Sequence, residues 1–142
     1  MPQLNAYLSF DGHCAEAMNF YARVLGAKVD ALISYGQVPC DGSSPPTPPE
    51  HADRIMHAHL THEQFSLMAG DTPPGVPFTG MKGFMLALMF DSVAEAERVF
   101  AAFADGGSVQ MPMSETFWVE RFGMVTDRYG TPWGINGGAS KM

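Results

Sequence analysis

The sequence predicts an α+β fold made of two β-α-β-β-β modules. An internal repeat is the first observation behind this prediction: the Ala-Glu-Ala triplet at 15–17 recurs at 94–96, 79 residues later, and Tyr21 has its counterpart in Phe100. The second observation is that each copy changes from the two-residue alternation of a strand to the spacing of an amphipathic helix. Element order, turn and spacing agree between the copies, so we interpret them as two modules of one plan.

The first module opens with an alternating strand that is followed by a helix. The strand is predicted to place two sets of side chains on opposite faces: Leu4, Ala6, Leu8 and Phe10 against Asn5, Tyr7 and Ser9. Helical spacing predicts that the helix buries Ala17, Met18, Tyr21, Val24 and Leu25 and ends at Gly26.

The second module repeats this arrangement. Its strand is predicted to place Phe84, Leu86, Leu88 and Phe90 on one face and Met85, Ala87 and Met89 on the other. Ser92 followed by Glu95 is a capping box, which indicates a helix that ends before residues 106–107 (Gly-Gly). Its predicted buried stripe is Val93, Ala96, Val99, Phe100 and Phe103.

The remaining strands complete a single domain with one module at about 1–70 and the other at about 83–142. We predict strands at 28–35, 54–61 and 64–69, then at 107–112, 117–126 and 131–136. One helix per module covers only one face of a sheet, so the helices are expected on the outer faces. The opposite face of each sheet is then free to line a ligand groove.

The predicted groove is partly apolar and rich in sulfur and aromatic groups. Its predicted lining is Asn5, Tyr7, Ser9, Met85, Met89, Trp118, Glu120 and Asn136. Methionine is a soft, adaptable side chain, so this lining predicts a small, flat or flexible ligand.

At this point the sequence resembles a known superfamily. The residues that carry the resemblance are 7–12 (YLSFDG), 16–17 (EA), 20–21 (FY), 25–26 (LG), 55–58 (IMHA), 107–112 (GSVQMP), 116–118 (TFW), 122–124 (FGM), 126–127 (TD), Gly130, Trp133 and Asn136. They resemble the vicinal oxygen chelate superfamily, which includes glyoxalase I, bleomycin-resistance proteins and extradiol dioxygenases, and within it the PhnB-like branch. The resemblance implies a cupped, partly open barrel and a homodimer.

The resemblance also bears on cofactors. Metal enzymes of the superfamily use His, Gln or Glu ligands on the first and last strands of each module, and these positions fall here on Asn5, Ser66, Met85 and Gly134. Such residues do not provide the donor set that Zn, Ni or Fe(II) requires, so no cofactor is predicted. The methyltransferase label attached to PhnB-like proteins also lacks support, because no glycine-rich nucleotide-binding unit occurs.

The alternative is an enzyme whose metal ligands have moved. His57 and His59 stand two apart on a predicted strand, so they share a face and are the best remaining donors for a divalent metal. Such an enzyme would be a lyase or an oxidoreductase, whereas the first interpretation is a binding protein. Cys14, at a helix start, is a weaker candidate for a thiol with a lowered pKa.

Composition excludes some partners and leaves one segment open. A net charge of −7 argues against nucleic acid, and the absence of a long apolar run argues against a membrane. With no secretory signal and two cysteines, a cytoplasmic location is expected. The proline-rich segment 36–53 is predicted to be a long loop, either a mobile surface loop or a lid over the groove.

Overall fold

The computed structural model describes residues 2–37 and 48–142. These residues form two compact units, divided between Gly80 and Met81. Unit 1 contains β1 (Ala6–Phe10), α1 (Cys14–Leu25), β2 (Lys28–Ser34), β3 (Ile55–Thr61) and β4 (Ser66–Asp71). Unit 2 contains β5 (Leu86–Phe90), α2 (Val93–Ala104), β6 (Ser108–Ser114), β7 (Val119–Thr126) and β8 (Pro132–Ser140). The predicted α+β class and the duplicated β-α-β-β-β order are confirmed.

The repeat holds at the level of single residues through the first three elements. Both ends of α2 stand 79 residues after the corresponding ends of α1, whereas both ends of β5 and of β6 stand 80 residues after those of β1 and β2. The difference of one arises because three residues join β1 to α1 and two join β5 to α2. The two units therefore share one local plan.

Each unit has a mixed sheet of four strands that stays open. The strand orders are β1-β4-β3-β2 and β5-β8-β7-β6, and within each sheet the first pair is parallel while the others are antiparallel. Helix α1 packs on β2, β3 and β4, and α2 packs on all four strands of its sheet. Each sheet thus has one helix-covered face and one open face.

The helix-covered face of unit 1 carries the core that alternation predicts. Its buried side chains include Leu8, Phe10, Ala17, Met18, Tyr21, Leu60, Leu67 and Ala69. The prediction for Leu4 was wrong: this residue precedes β1 and is 99% exposed. The strand begins later than the alternation suggested, so Leu4 has no helix above it. Leu25, at the last position of α1, is only half-buried.

Unit 2 is built around a ring pair. Phe103 of α2 stacks on Trp133 of β8 with ring centroids 4.5 Å apart and an angle of 18° between the planes. Ala96, Val99, Val125 and Ile135 complete the buried set. Phe84 was predicted to join this face, but it lies before β5 and is 44% exposed.

The two helices begin in different ways. Ser92 caps α2 locally, since its hydroxyl accepts the backbone N–H of Glu95 at 3.2 Å. Only this half of the predicted capping box forms, because the Glu95 carboxylate pairs with Arg98 at 2.9 Å. Helix α1 has no side-chain cap of its own at His13.

A buried carboxylate from the end of β4 takes the place of that cap. Asp71 is 4% exposed, and its Oδ1 accepts the N–H groups of Gly12 at 2.8 Å and Cys14 at 3.1 Å. Its Oδ2 accepts the N–H of Ile55 at 2.8 Å. One carboxylate therefore joins the β1–α1 turn to β3 and β4, and it places a negative charge at the positive end of α1.

A second buried carboxylate organises the turn before β8. Asp127 accepts the N–H groups of Tyr129 and Thr131 through Oδ1 and the indole N–H of Trp133 through Oδ2 at 2.8 Å. Gly130, with a φ of +92°, donates its N–H to the carbonyl of Asp127 at 3.0 Å. The predicted tight turn at 127–130 is confirmed.

The units differ most in the connection between their second and third strands. Residues 35–54 make this connection in unit 1 and residues 115–118 make it in unit 2. Two short 3₁₀ turns, Tyr35–Gln37 and Pro49–His51, lie at the two ends of the longer one. The predicted lid at 36–53 falls largely on residues 38–47, which lie outside the described residues.

Candidate functional site

Strand register defines the open face of unit 1, which we call the histidine face. It consists of Asn5, Tyr7, Ser9, His57, His59, Thr61, Ser66, Met68 and Gly70, all on the side of the sheet opposite α1. Met68 pairs with Tyr7 on one side and with His59 on the other, so these three residues form one row across the sheet. His57 and His59 therefore share a face with the predicted groove residues of the first strand.

Tyr7 crosses this face diagonally. Its hydroxyl donates to the carbonyl of Met56 at 3.0 Å, and its ring stacks on the imidazole of His57 with centroids 5.9 Å apart. The crossing requires glycine at position 70, because a methyl group there would stand 2.8 Å from the Tyr7 hydroxyl and 2.7 Å from the Met56 carbonyl. Burial raises the pKa of the Tyr7 hydroxyl, and the nearby Cys14 thiol raises it further, so the hydroxyl is a donor at neutral pH.

His59 is oriented by an acidic partner on the neighbouring strand. Its Nδ1 lies 2.8 Å from Oδ1 of Asp30, and the two side chains are 29% and 37% exposed. Since a carboxylate accepts, the proton is on Nδ1 and the lone pair of neutral His59 is on Nε2. A histidine held in this way can accept a proton or bind a metal through Nε2.

The positions that the superfamily uses for metal ligands hold poor donors here. In unit 1 the hydroxyl of Ser66 donates to the side-chain oxygen of Asn5, so the two neutral groups satisfy each other. In unit 2 Gly134 has no side chain, and a methyl group there would stand 2.9 Å from Sδ of Met85. These positions carry no charged or imidazole ligand and do not fit a divalent ion.

The register also corrects one of these positions. Tyr7 pairs with Met68, and Ala87, the repeat counterpart of Tyr7, pairs with Gly134. Met68 rather than Ser66 is therefore the counterpart of Gly134. The chemistry is unchanged, because a thioether is also a poor ligand for hard divalent ions.

Unit 2 presents a different open face, which we call the methionine face. It consists of Met85, Ala87, Met89, Met111, Phe122, Met124, Gly134 and Asn136. Met89 is 80% exposed and pairs in register with Asn136. Near one end of this face lies a cavity of about 390 Å³, lined by Phe84, Met85, Gln110, Met124, Val125, Thr126, Pro132 and Trp133.

The aromatic side chains at the other end of the methionine face are also in contact. Trp118 is half-buried and meets Phe122 edge to face, with centroids 5.4 Å apart, and it meets Phe117 in the same way at 5.0 Å. Glu120 is exposed, and its carboxylate accepts the N–H of Ala139 at 2.7 Å. That backbone bond gives Glu120 a structural role in the β7–β8 pairing.

Of the predicted groove residues, the structure brings Asn5, Tyr7 and Ser9 together on the histidine face. It brings Met85, Met89 and Asn136 together on the methionine face, with Trp118 beside Phe122. Sequence reasoning missed Asp30, which stands at an irregularity between the β2 residues that pair with β3. It also missed Met111 and Met124; the alternation of Met124 with Phe122 in the strand was a usable signal.

The prediction for Cys14 was wrong. The thiol is fully buried, and burial together with the nearby Asp71 carboxylate raises its pKa to about 12. The raised pKa outweighs any effect of the helix N-terminus, so Cys14 stays protonated at neutral pH.

Two searches of the described residues complete the description of the site. Within 2–37 and 48–142, no group of three or more His, Cys, Asp or Glu side chains is arranged to hold a metal ion. No helix in the part of the chain that the structure describes is long and apolar enough to span a bilayer.

Two β-α-β-β-β units, each with one helix-covered and one open sheet face, define a class of α+β proteins. The pattern of the Glyoxalase/Bleomycin resistance protein/Dioxygenase superfamily matches residues 3–135, and the chain belongs to that superfamily. The predicted superfamily is confirmed. Its members differ widely in chemistry, so membership defines the fold and leaves the activity to be argued from the site.

Particular relatives agree with this assignment. The chain is 36% identical over 138 residues to protein YjdN of Escherichia coli strain K12, which covers 94% of this chain and 93% of YjdN. It is similar to protein PA1353 of Pseudomonas aeruginosa, with 45% identity, a TM-score of 0.85, and 97% and 98% of the two chains covered. The PhnB protein of Bacillus cereus shares the fold, with a TM-score of 0.77, 24% identity, and 96% and 99% covered.

Proposed function

We propose that this protein binds a small, partly apolar molecule on the methionine face, with no divalent metal at the positions that the superfamily uses. The observation that carries the proposal is the exposure of methionine on an open sheet face: Met89 is 80% exposed and Met85 is 42% exposed. Exposed apolar side chains concentrated on one face mark a binding surface more often than isolated ones do.

The chemistry of the face supports the ligand class. Thioethers adapt to irregular shapes and make contacts of about 0.3–1.5 kcal/mol with aromatic rings. Asn136 supplies a donor and an acceptor beside Met89, while Gln110 and Thr126 bond to each other at 3.1 Å beside the cavity. A cavity of about 390 Å³ lies within the size range of small-molecule sites. A planar molecule with one polar edge fits this lining.

The absence of an anionic donor supports the metal-free part of the proposal. Asn5 and Ser66 hydrogen-bond to each other, and Met85 lies across Gly134. A divalent ion at these positions would gain no charge neutralisation from the side chains.

The proposal is tested with the apolar dye 1-anilinonaphthalene-8-sulfonate. The chain has two tryptophans, of which Trp133 is buried while Trp118 is half-buried beside the methionine face, so bound dye should quench Trp118. Met89→Gln should weaken binding of the dye at least about threefold, because a polar amide replaces an apolar contact. Met142→Gln is the matched control, since Met142 is 88% exposed and lies at the chain end. Equal effects of the two substitutions would contradict the proposal.

A second candidate function rests on the histidine face. The Asp30–His59 pair favours an enzyme, a lyase or an oxidoreductase, in which His57 and His59 act as relocated ligands of a divalent metal. Protein purified without chelators should then contain stoichiometric Zn, Ni, Mn or Fe. The metal should be lost in the His57→Ala/His59→Ala double variant and retained in a His51→Ala/His62→Ala control. A metal-free wild-type protein excludes this candidate.

The partner and location form a further part of the proposal. We propose a cytoplasmic homodimer, which the resemblance to the superfamily implied. Sedimentation velocity should show one species at twice the monomer mass, and a monomer at micromolar concentration would contradict it.

A further inference from the structure

Three methionine side chains fall in one row across the methionine face. Met111 on β6 pairs in register with Met124 on β7, and Met124 pairs with Gly134 on β8. Paired residues point to the same side of a sheet, and neighbouring strands lie about 4.8 Å apart. Two thioethers therefore stand side by side, one strand spacing apart.

The third thioether reaches the row from β5. Met85 precedes this strand, and its Sδ lies 2.9 Å from the point where a side chain at Gly134 would begin. The missing side chain at Gly134 lets Met85 lie across β8 toward Met124. Both Met85 and Met124 line the cavity of about 390 Å³, so their sulfur atoms are accessible from solvent.

This donor set is specific in its chemistry. A thioether is a soft, uncharged ligand that prefers soft cations such as Cu(I) over Zn²⁺, Mg²⁺ or Ca²⁺. Phe122 lies at the same place, with a ring carbon 3.5 Å from the virtual side chain of Gly134, and a ring face attracts a cation. The face members on these strands include no carboxylate or imidazole in register with the row, so nothing there favours a hard ion.

We propose that Met85, Met111 and Met124 form a binding site for one soft monovalent cation, of which Cu(I) is the physiological example. The site lies on the same face as the apolar ligand of the proposed function but does not depend on that ligand. Each methionine has three rotatable bonds, so the thioethers can converge on one ion without movement of the sheet.

Silver(I), which is soft and does not change its oxidation state in water, is the probe for this site. In protein carrying ¹³C-labelled methionine methyl groups, one equivalent of Ag⁺ should shift the resonances of Met85, Met111 and Met124. The resonances of Met89 and Met142 should not move. Because the readout resolves single residues, binding of silver to a cysteine elsewhere does not imitate the result.

Leucine substitutions separate this site from simple apolar binding. Met124→Leu and Met111→Leu keep the apolar volume and remove the sulfur, so each should weaken Ag⁺ binding at this row at least tenfold while binding of the dye changes less than twofold. Met89→Leu is the matched control and should leave Ag⁺ binding unchanged. Shifts spread over exposed methionines, or leucine variants that bind Ag⁺ as wild type does, would overturn the cation site without affecting the proposed function. Loss of dye binding with retention of the three shifts would do the reverse.

Discussion

The two units place the same elements at nearly constant offsets, yet their open faces carry different chemistry. Unit 1 presents imidazole, phenol and hydroxyl groups around His57 and His59, and unit 2 presents thioethers and rings around Met85 and Met89. The helix-covered faces remain alike because each must fill the space under one helix. The comparison shows that the repeat preserves the packed side of each sheet and lets the other side diverge.

The same contrast appears where the helices begin. Helix α2 is capped by Ser92, three residues from the amide it accepts, whereas the start of α1 is held by Asp71 from the far end of the unit. One cap is local and exposed, and the other is remote, charged and buried. Three predictions test whether this difference has the energetic weight that the geometry gives it.

The largest effect is expected from Asp71→Ala. The change leaves the N–H groups of Gly12, Cys14 and Ile55 without their partner, and hydrogen bonds to a charged group contribute about 1.5–3 kcal/mol each. We expect the free energy of unfolding in urea to fall by about 3 kcal/mol or more. A loss below about 1 kcal/mol, the size of an ordinary local cap, would show that the remote carboxylate is not special.

The second effect depends on pH and tests the environment of Cys14. Its pKa is raised to about 12 in the folded protein from an ordinary value of 9.0. Between these values the unfolded chain has lost the proton and the folded chain keeps it, so stability falls as pH rises, by about 1.4 kcal/mol per pH unit once the unfolded thiol is ionised. Cys14→Ala should reduce this slope in urea unfolding at pH 8 to 10.5. Tyr7 and Tyr35, whose pKa values are also raised, act in both proteins and cancel in the comparison. Identical slopes would contradict the assignment.

The smallest effect is expected from Ser92→Ala. Loss of a local N-cap bond costs about 1 kcal/mol. Urea unfolding of the variant should show a loss about one third of that in Asp71→Ala. Ser108→Ala, an exposed serine on β6 of the same unit, is the control.

Much of the fold follows from sequence because it depends on local pattern. The two helices, the Gly26 terminus and the Ser92 cap were all predicted, since spacing and capping chemistry are written in neighbouring residues. Leu4 and Phe84 were assigned wrongly because alternation continues past the point where each strand stops pairing. Strand ends depend on partner strands that a single segment does not reveal.

The site was less accessible from sequence, for reasons that particular residues illustrate. His57 and His59 were found as a pair, but Asp30 lies at a pairing irregularity where alternation no longer indicates a face. Glu120 fits the alternation of Trp118 and Phe122, yet its carboxylate bonds to the backbone of Ala139. Such choices depend on long-range contacts, which periodicity does not encode.

The position of Asp71 has a consequence for the order in which the chain folds. Cys14 and Asp71 are 57 residues apart in sequence, so the first turn of α1 gains its partner only after a long loop has closed. Helix α2 gains its own from a residue beside it and is free to nucleate early. We expect hydrogen exchange to report this: the amides of Gly12 and Cys14 should exchange only through openings that detach β4, whereas the amide of Glu95 should exchange through local fraying.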